Sequence, residues 1–178
     1  MKVILISGKA EAGKDSTFDI LNQLIPDEFK KVRMAYGDYV KYTAKMLWGW
    51  NGKKDEEGRG HLQWWGTEYV RAIEPDFWVD TVIRLARIVK KDVDYLVVTD
   101  VRFPNEIVAW NKNEFDVITV RVERPGHENA LTEEQRQHLS ETALDDWEFD
   151  VTLRAKTLTE LTREVKRELI PALYADKT

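Results

Sequence analysis

Cysteine is absent from all 178 residues. Disulfides and thiolate metal sites are therefore excluded, and with imidazole available only from His61, His127 and His138 a structural zinc site has too few donors. No apolar run is long enough to span a bilayer. The first strand begins at once, without a charged leader, an apolar core and a small-residue cleavage site, so a cytoplasmic protein is expected. Excess positive charge is lacking too: 27 Lys and Arg stand against 32 Asp and Glu, a net charge of −5 and a pI near 5.4. Such a balance argues against a nucleic-acid polymer or an anionic membrane as partner, while local Lys and Arg can still dominate a pocket for a small anion. There is no internal repeat and no low-complexity tract, and the length fits one domain, 1–178, with a proper core.

What the chain has is a first strand, Val3-Ile4-Leu5-Ile6, that runs straight into Gly8-Lys9-Ala10-Glu11-Ala12-Gly13-Lys14-Asp15-Ser16. The continuous apolar run suits a strand buried on both faces, and the abrupt glycine opens a turn whose N–H groups can point at anionic oxygens. Phe18, Leu21, Leu24 and Ile25 have helical spacing, so a helix starting here adds its positive N-terminal end. GxxxxGK is the Walker A spacing, except that the Ser or Thr that should follow the lysine and reach Mg²⁺ is replaced by Asp15. Either Asp15 meets the metal, through water, or Ser16 supplies the hydroxyl one residue late.

Downstream, Val32 to Tyr36 reads as a second strand ending at Gly37. Asp38 is expected to cap a helix to Trp48, with Val40, Ala44 and Leu47 inward and Lys41 and Lys45 on another stripe, facing a ligand or solvent. Residues 51–60, rich in charge and glycine, read as a mobile loop. Trp48, Trp50, Trp64 and Trp65 flank it as core or as stacking platforms for a base. A helix follows from His61 to Ile73, with Leu62, Trp65, Tyr69 and Ala72 as its apolar face. Another starts after Glu74-Pro75-Asp76 and buries Trp78, Val82, Leu85, Ala86 and Val89. Tyr95 to Val98 is a second fully buried strand. It ends at Thr99-Asp100, where a nucleoside-triphosphate site keeps its Mg²⁺-linked carboxylate; Asp100 and Arg102 are otherwise a local ion pair. Pro104 opens the next helix. A strand from Val117 to Val122 leads into a polar, lid-like excursion at 124–141, which contains the capping box Thr132-Glu133-Glu134-Gln135. The last strand is Phe149 to Leu153, and the last helix is capped by Thr157 and expected to break at Pro171. This order predicts an α/β three-layer sandwich around a mostly parallel sheet of about five strands, with a small lid and with ligands at the carboxyl ends of the strands.

GKAEAGKDS, LQWWGTEYVR, DVRFPNE and HLSE together resemble the deoxynucleoside monophosphate kinases of bacteriophages, a branch of the P-loop monophosphate kinases, over nearly the whole length. The resemblance implies a P-loop kinase-like fold and transfer of the γ-phosphoryl group of ATP, with Mg²⁺, to a (deoxy)nucleoside 5′-monophosphate, with a homodimer left open. It implies ATP-phosphate contacts at Gly8, Lys9, Ala10, Gly13, Lys14, Asp15 and Ser16. Acceptor contacts fall on Lys41, Gln63, Gly66, Thr67, Trp78, Asp100, Arg102 and Glu106. Lys14, Asp100 and Arg102 would be catalytic, and Ser16, Asp15 and Asp100 metal-linked. Ala109 stands where some members have an acidic contact. Arg124, Arg136 and His138 sit where a lid would close. The chain is also similar to animal-type phosphomevalonate kinases in its Gly-Lys-Asp loop, and a non-catalytic nucleotide switch is a third reading.

Overall fold

A computed structural model of the chain describes residues 1–53, 55–111, 115–127, 129 and 131–175. Lys54, in the stretch read as a loop, and Glu128 and Ala130, in the lid-like excursion, lie outside the described residues. Strands β1 (Lys2–Ser7), β2 (Lys31–Met34), β3 (Tyr95–Val101), β4 (Asp116–Glu123) and β5 (Val151–Arg154) form one sheet in the order β2-β3-β1-β4-β5. Every neighbouring pair is parallel. Parallel strands are covered on both faces, so their residues divide alternately between two cores. Val3 and Leu5 of β1 pack with helices α2 (Tyr36–Trp48), α5 (Phe77–Val89) and α6 (Pro104–Asn111), whereas Ile4 and Ile6 pack with α1 (Lys14–Leu24), α9 (Leu158–Glu164) and α10 (Ile170–Tyr174). No helix among the described residues is long and apolar enough to cross a membrane.

The chain leaves β1 toward one edge of the sheet and later crosses it to build β4 on the other side. A crevice therefore opens at the carboxyl ends of β1 and β3. There the register slips: Leu5 pairs with Val98 but Ser7 with Val101, so β3 carries one residue too many. The extra residue turns Asp100 and Val101 both toward the α2 side.

Several local expectations differ from the structure. Helix α2 starts at Tyr36, before Asp38, because the carboxylate that holds its first N–H groups comes from outside: Asp100 accepts from Tyr36 N at 2.9 Å and Gly37 N at 2.7 Å. Leu47, expected inward, is 62 % exposed. The stretch read as a loop is helical from Glu56, where α3 (Glu56–Gln63) is capped by the Asp55 side chain. Helix α3 runs through a π-helical turn, Trp64–Tyr69, into α4 (Val70–Ile73). That wider turn breaks the 3.6-residue period, so Tyr69 and Ala72 come out exposed and Val70 is buried. A second π turn, Val165–Leu169, sets Pro171 in the first turn of α10, where its missing N–H costs nothing, and the helix continues through it.

Trp110 on α6 joins these parts. It is fully buried, meets the Phe115 ring at 5.2 Å and donates its indole N–H to the Tyr36 hydroxyl at 2.8 Å. Trp110→Ala is expected to cost about 3–5 kcal/mol of unfolding free energy, read from urea denaturation.

Candidate functional site

The glycine loop leaves β1 under tight steric control. Gly8 has φ +155°, and a Cβ there would lie 2.5 Å from the carbonyl oxygen of Val122, so only glycine lets the backbone pass beside β4. Gly13 ends the loop at φ +105° and caps α1 with no side chain. The N–H groups of Lys14, Asp15 and Ser16 in the first turn thus have no carbonyl within the helix to meet, and the first intrahelical bond is Thr17 N to Gly13 O at 2.9 Å. Lys14 folds back over the loop and donates to the carbonyls of Gly8 at 2.8 Å and Lys9 at 2.7 Å. Burial, then the nearby Arg102, lowers its pKa to about 7 against the pull of Glu141, Asp100 and Asp15.

A cavity of about 270 Å³ reaches the loop at Ala10. Its wall contains every residue that the sequence nominated for an acceptor: Lys41, Gln63, Gly66, Thr67, Trp78, Asp100, Arg102 and Glu106. The π-helical turn brings Gly66 against Val40, where a Cβ would stand 3.0 Å away, and Trp78 donates its indole N–H to the Gly66 carbonyl at 2.9 Å. Lys41 donates to Asp38 at 2.8 Å. Burial pushes the Asp100 carboxyl up, opposed by the N–H bonds from Gly37 and Tyr36.

Glu106 is 1 % exposed. One oxygen pairs with Arg71, and the other accepts from Arg102 N at 2.6 Å and Phe103 N at 3.1 Å. Burial pushes its pKa up to about 7, opposed first by Arg71. Arg71 in turn stacks 4.3 Å from the Phe103 ring centre. Glu106 thereby fixes the turn that aims Arg102.

A second cavity, of about 240 Å³, is lined by Glu11 to Gly13, Ser16, Arg124, residues 155–158 and Leu161. Arg124 donates to the Lys156 carbonyl at 3.4 Å. Arg136, on α7 (Glu133–Gln137), is exposed beside Glu133 and Asn129, and His138 accepts from Ser140 N at 3.2 Å to cap α8 (Leu139–Thr142). The three candidate lid residues thus meet different partners. Asp15 is drawn sideways to Arg33, at 3.0 Å, and Thr99, at 2.8 Å. Half-burial opposes ionisation there, yet the hydrogen bonds from Thr99 and Arg33 leave its pKa below the usual carboxylate value. Ser16 faces the second cavity. Among the described residues no group of three or more His, Cys, Asp or Glu can hold a metal ion by itself.

Of the four clustered tryptophans, Trp50 and Trp65 are buried, Trp64 is half-buried and Trp48 is exposed. Trp48, Trp64, Trp65 and Tyr69 pack ring on ring at 5.3–6.2 Å, outside the first cavity's wall. Arg59, Tyr36 and Glu141 line that cavity without having been nominated. Arg59 lies in the stretch that reads as a loop, whereas Glu141 belongs to HLSE, whose sequence reads as a lid contact or a polar helix end.

No protein-family model and no curated protein matches the chain. Solved structures do. Shikimate kinase from Aquifex aeolicus aligns over 98 % of this chain and 99 % of its own, with 13 % identity and a TM-score of 0.55. Dephospho-CoA kinase from Campylobacter jejuni aligns over 97 % and 98 %, with 15 % identity and a TM-score of 0.53. The APS kinase of Mycobacterium tuberculosis aligns over 98 % and 97 %, with 12 % identity and a TM-score of 0.52. The fold is that of the P-loop kinases; at such identities the likeness concerns the fold.

Replacing the buried carboxylate Glu106 by Gln leaves Arg71 without its counter-charge. Glu106→Gln is expected to cost about 3 kcal/mol in urea denaturation.

Proposed function

We propose that this protein is a kinase that transfers the γ-phosphoryl group of ATP to a small phosphorylated acceptor, a (deoxy)nucleoside 5′-monophosphate. One observation carries the reading: residues of the glycine loop line two cavities, Ala10 the one that holds the nominated acceptor residues and Glu11 to Gly13 with Ser16 another. A donor whose base and sugar enter the second cavity lays its phosphates along the loop. An acceptor in the first cavity meets the terminal phosphate from the opposite side, the in-line arrangement that phosphoryl transfer needs. The kinases among the structures of like fold support the phosphotransfer class; the choice of acceptor rests on the cavity wall and on the resemblance to phage monophosphate kinases.

The chain's own groups then divide the work. Lys14 and the first-turn N–H groups of α1 stabilise charge on the transferred group, and Lys14 recovers its full charge when phosphates replace the carbonyls it now binds. Arg102, held by Glu106, grips the acceptor phosphate through two parallel N–H···O bonds. Gln63 can both donate to and accept from a base edge, and Trp78 walls the pocket. Ser16, with Asp15 and Asp100 through water, would hold the Mg²⁺ that accompanies ATP and neutralises phosphate charge. An acceptor monophosphate is already anionic at neutral pH, so the first cavity needs no general base.

The test is turnover with ATP and a panel of nucleoside and deoxynucleoside monophosphates, with phosphomevalonate as a contrasting acceptor. Lys14→Ala is expected to lower transfer by about a hundredfold or more. Arg102→Lys is expected to lower kcat/KM for every accepted monophosphate by a similar factor, on the order of a hundredfold. Gln63→Leu should reorder the bases. Turnover of phosphomevalonate and of no nucleotide would overturn the acceptor assignment, and ATP binding without transfer to any acceptor would overturn the kinase reading.

A further inference from the structure

A carboxylate in the wall of the first cavity reaches the glycine loop. Glu141 is almost sealed from solvent, its side chain 7 % exposed. One of its oxygens accepts from Ala10 N of the glycine loop at 3.0 Å, and the other pairs with the Arg102 guanidinium. A planar oxyanion is thus held at once by a backbone N–H of the phosphate loop and by the arginine that faces it, and its negative charge acts on Lys14. The same segment holds other cations of the site. Lys9 donates to the Glu141 carbonyl and to Asp145, each at 2.6 Å, and Asp145 also pairs with Arg121 at 3.1 Å. Arg102 donates to the Ser140 carbonyl at 3.2 Å as well.

We propose that the seat between Ala10 N and Arg102 is an oxyanion subsite for the transferred phosphoryl group, and that residues 139–145 form a self-inhibitory latch whose Glu141 carboxylate fills this subsite until phosphates displace it. The inference rests on the phosphate-cradle part of the reading above and adds a regulator to it. Two anions cannot share this seat, because a second negative charge within a few ångströms of the carboxylate is repelled where water is scarce. Binding must therefore proceed from the fraction of molecules with the latch open, and the apparent dissociation constant is the intrinsic one divided by that fraction. Short elements suit the motion: α8 has one turn, and its N-cap is a side-chain bond from Ser140 N to His138. Release frees Lys9, Arg102 and Arg121 together, which couples the arrival of phosphates to the exposure of the cations that hold them.

The test is calorimetric titration of the full chain with inorganic tripolyphosphate and with MgADP, in the parent protein, in Glu141→Gln and in Asp145→Asn. Gln keeps the size of the side chain and removes the competing charge; Asp145→Asn loosens the latch at its far end and decides the matter if Glu141→Gln fails to fold. Both variants are expected to bind tripolyphosphate about fivefold tighter or more, as removal of a latch closed in roughly four-fifths or more of the molecules requires. Amide hydrogen exchange in residues 139–145 should also quicken in the parent when tripolyphosphate is added. Equal or weaker binding in the variants, or no tripolyphosphate binding by any of the proteins, overturns the latch. Tighter tripolyphosphate binding without transfer to any acceptor retains the latch and removes the kinase reading. Transfer by the parent with unchanged binding in the variants does the reverse.

Discussion

A carboxylate sealed inside the protein sets the terms for the site. Glu106 is removed from water on α6, and an isolated charge there would be prohibitive, so the chain surrounds it with Arg71 and the N–H groups of Arg102 and Phe103. Each partner comes from a different stretch. Arg71 ties in α4, which follows the π-helical turn carrying Gly66 and Thr67, and the two N–H groups fix the turn after β3. Asp100, a few residues earlier, repeats the device on the other side by holding the start of α2. The cavity wall is therefore a set of elements pinned to two carboxylates, one at the end of β3 and one in the first turn of α6.

Against this fixed wall stands a loop with unfilled bonds. The first-turn N–H groups of α1 lack intrahelical partners, and Lys14 has turned inward to neighbouring carbonyls, partly discharged by burial and by Arg102. In the proposed reaction an arriving polyanion would reverse both conditions, accepting from the N–H groups and restoring the charge of Lys14 with uptake of a proton near neutral pH. The cations around the loop are satisfied meanwhile by the protein's own carboxylates: Lys9 by Asp145, Arg102 by Glu141 and Arg33 by Asp15. Such internal pairing lets a chain of net charge −5 keep a cationic crevice without leaving it unbalanced.

Much of this was legible because local and global signals agreed. The apolar run before Gly8, the GxxxxGK spacing and the apolar strand ending at Asp100 gave the sheet and the loop. The residues of LQWWGTEYVR and DVRFPNE that the resemblance nominates for an acceptor line one cavity. What was hidden depended on contacts between distant segments. Asp38 looked like a helix cap because no sequence rule announces that Asp100 will do the capping from across the sheet. The π turns at Trp64–Tyr69 and Val165–Leu169 shift the helical phase by an amount that periodicity cannot foresee, so Tyr69 and Ala72 were misassigned to the inner face and Pro171 to a break. Residues 56–60 looked like a loop for want of apolar residues, yet the Asp55 cap and the continuing helix carry them, and Arg59 reaches the cavity as a result. Glu141 was visible as a motif letter; its role depends on a fold-back of more than a hundred residues onto Ala10.

The central claim is that one loop serves two cavities at once, a donor on one side and a phosphorylated acceptor on the other. Its most direct measurement is the affinity of bisubstrate analogues, adenosine joined through five phosphates to each of the common deoxynucleosides, compared with that of ATP. A molecule that spans both cavities gains the second site at little further entropic cost. At least one analogue is predicted to bind about a hundredfold tighter than ATP or better, and to lose that advantage in Arg102→Lys. Affinities no better than that of ATP for every analogue would contradict the account.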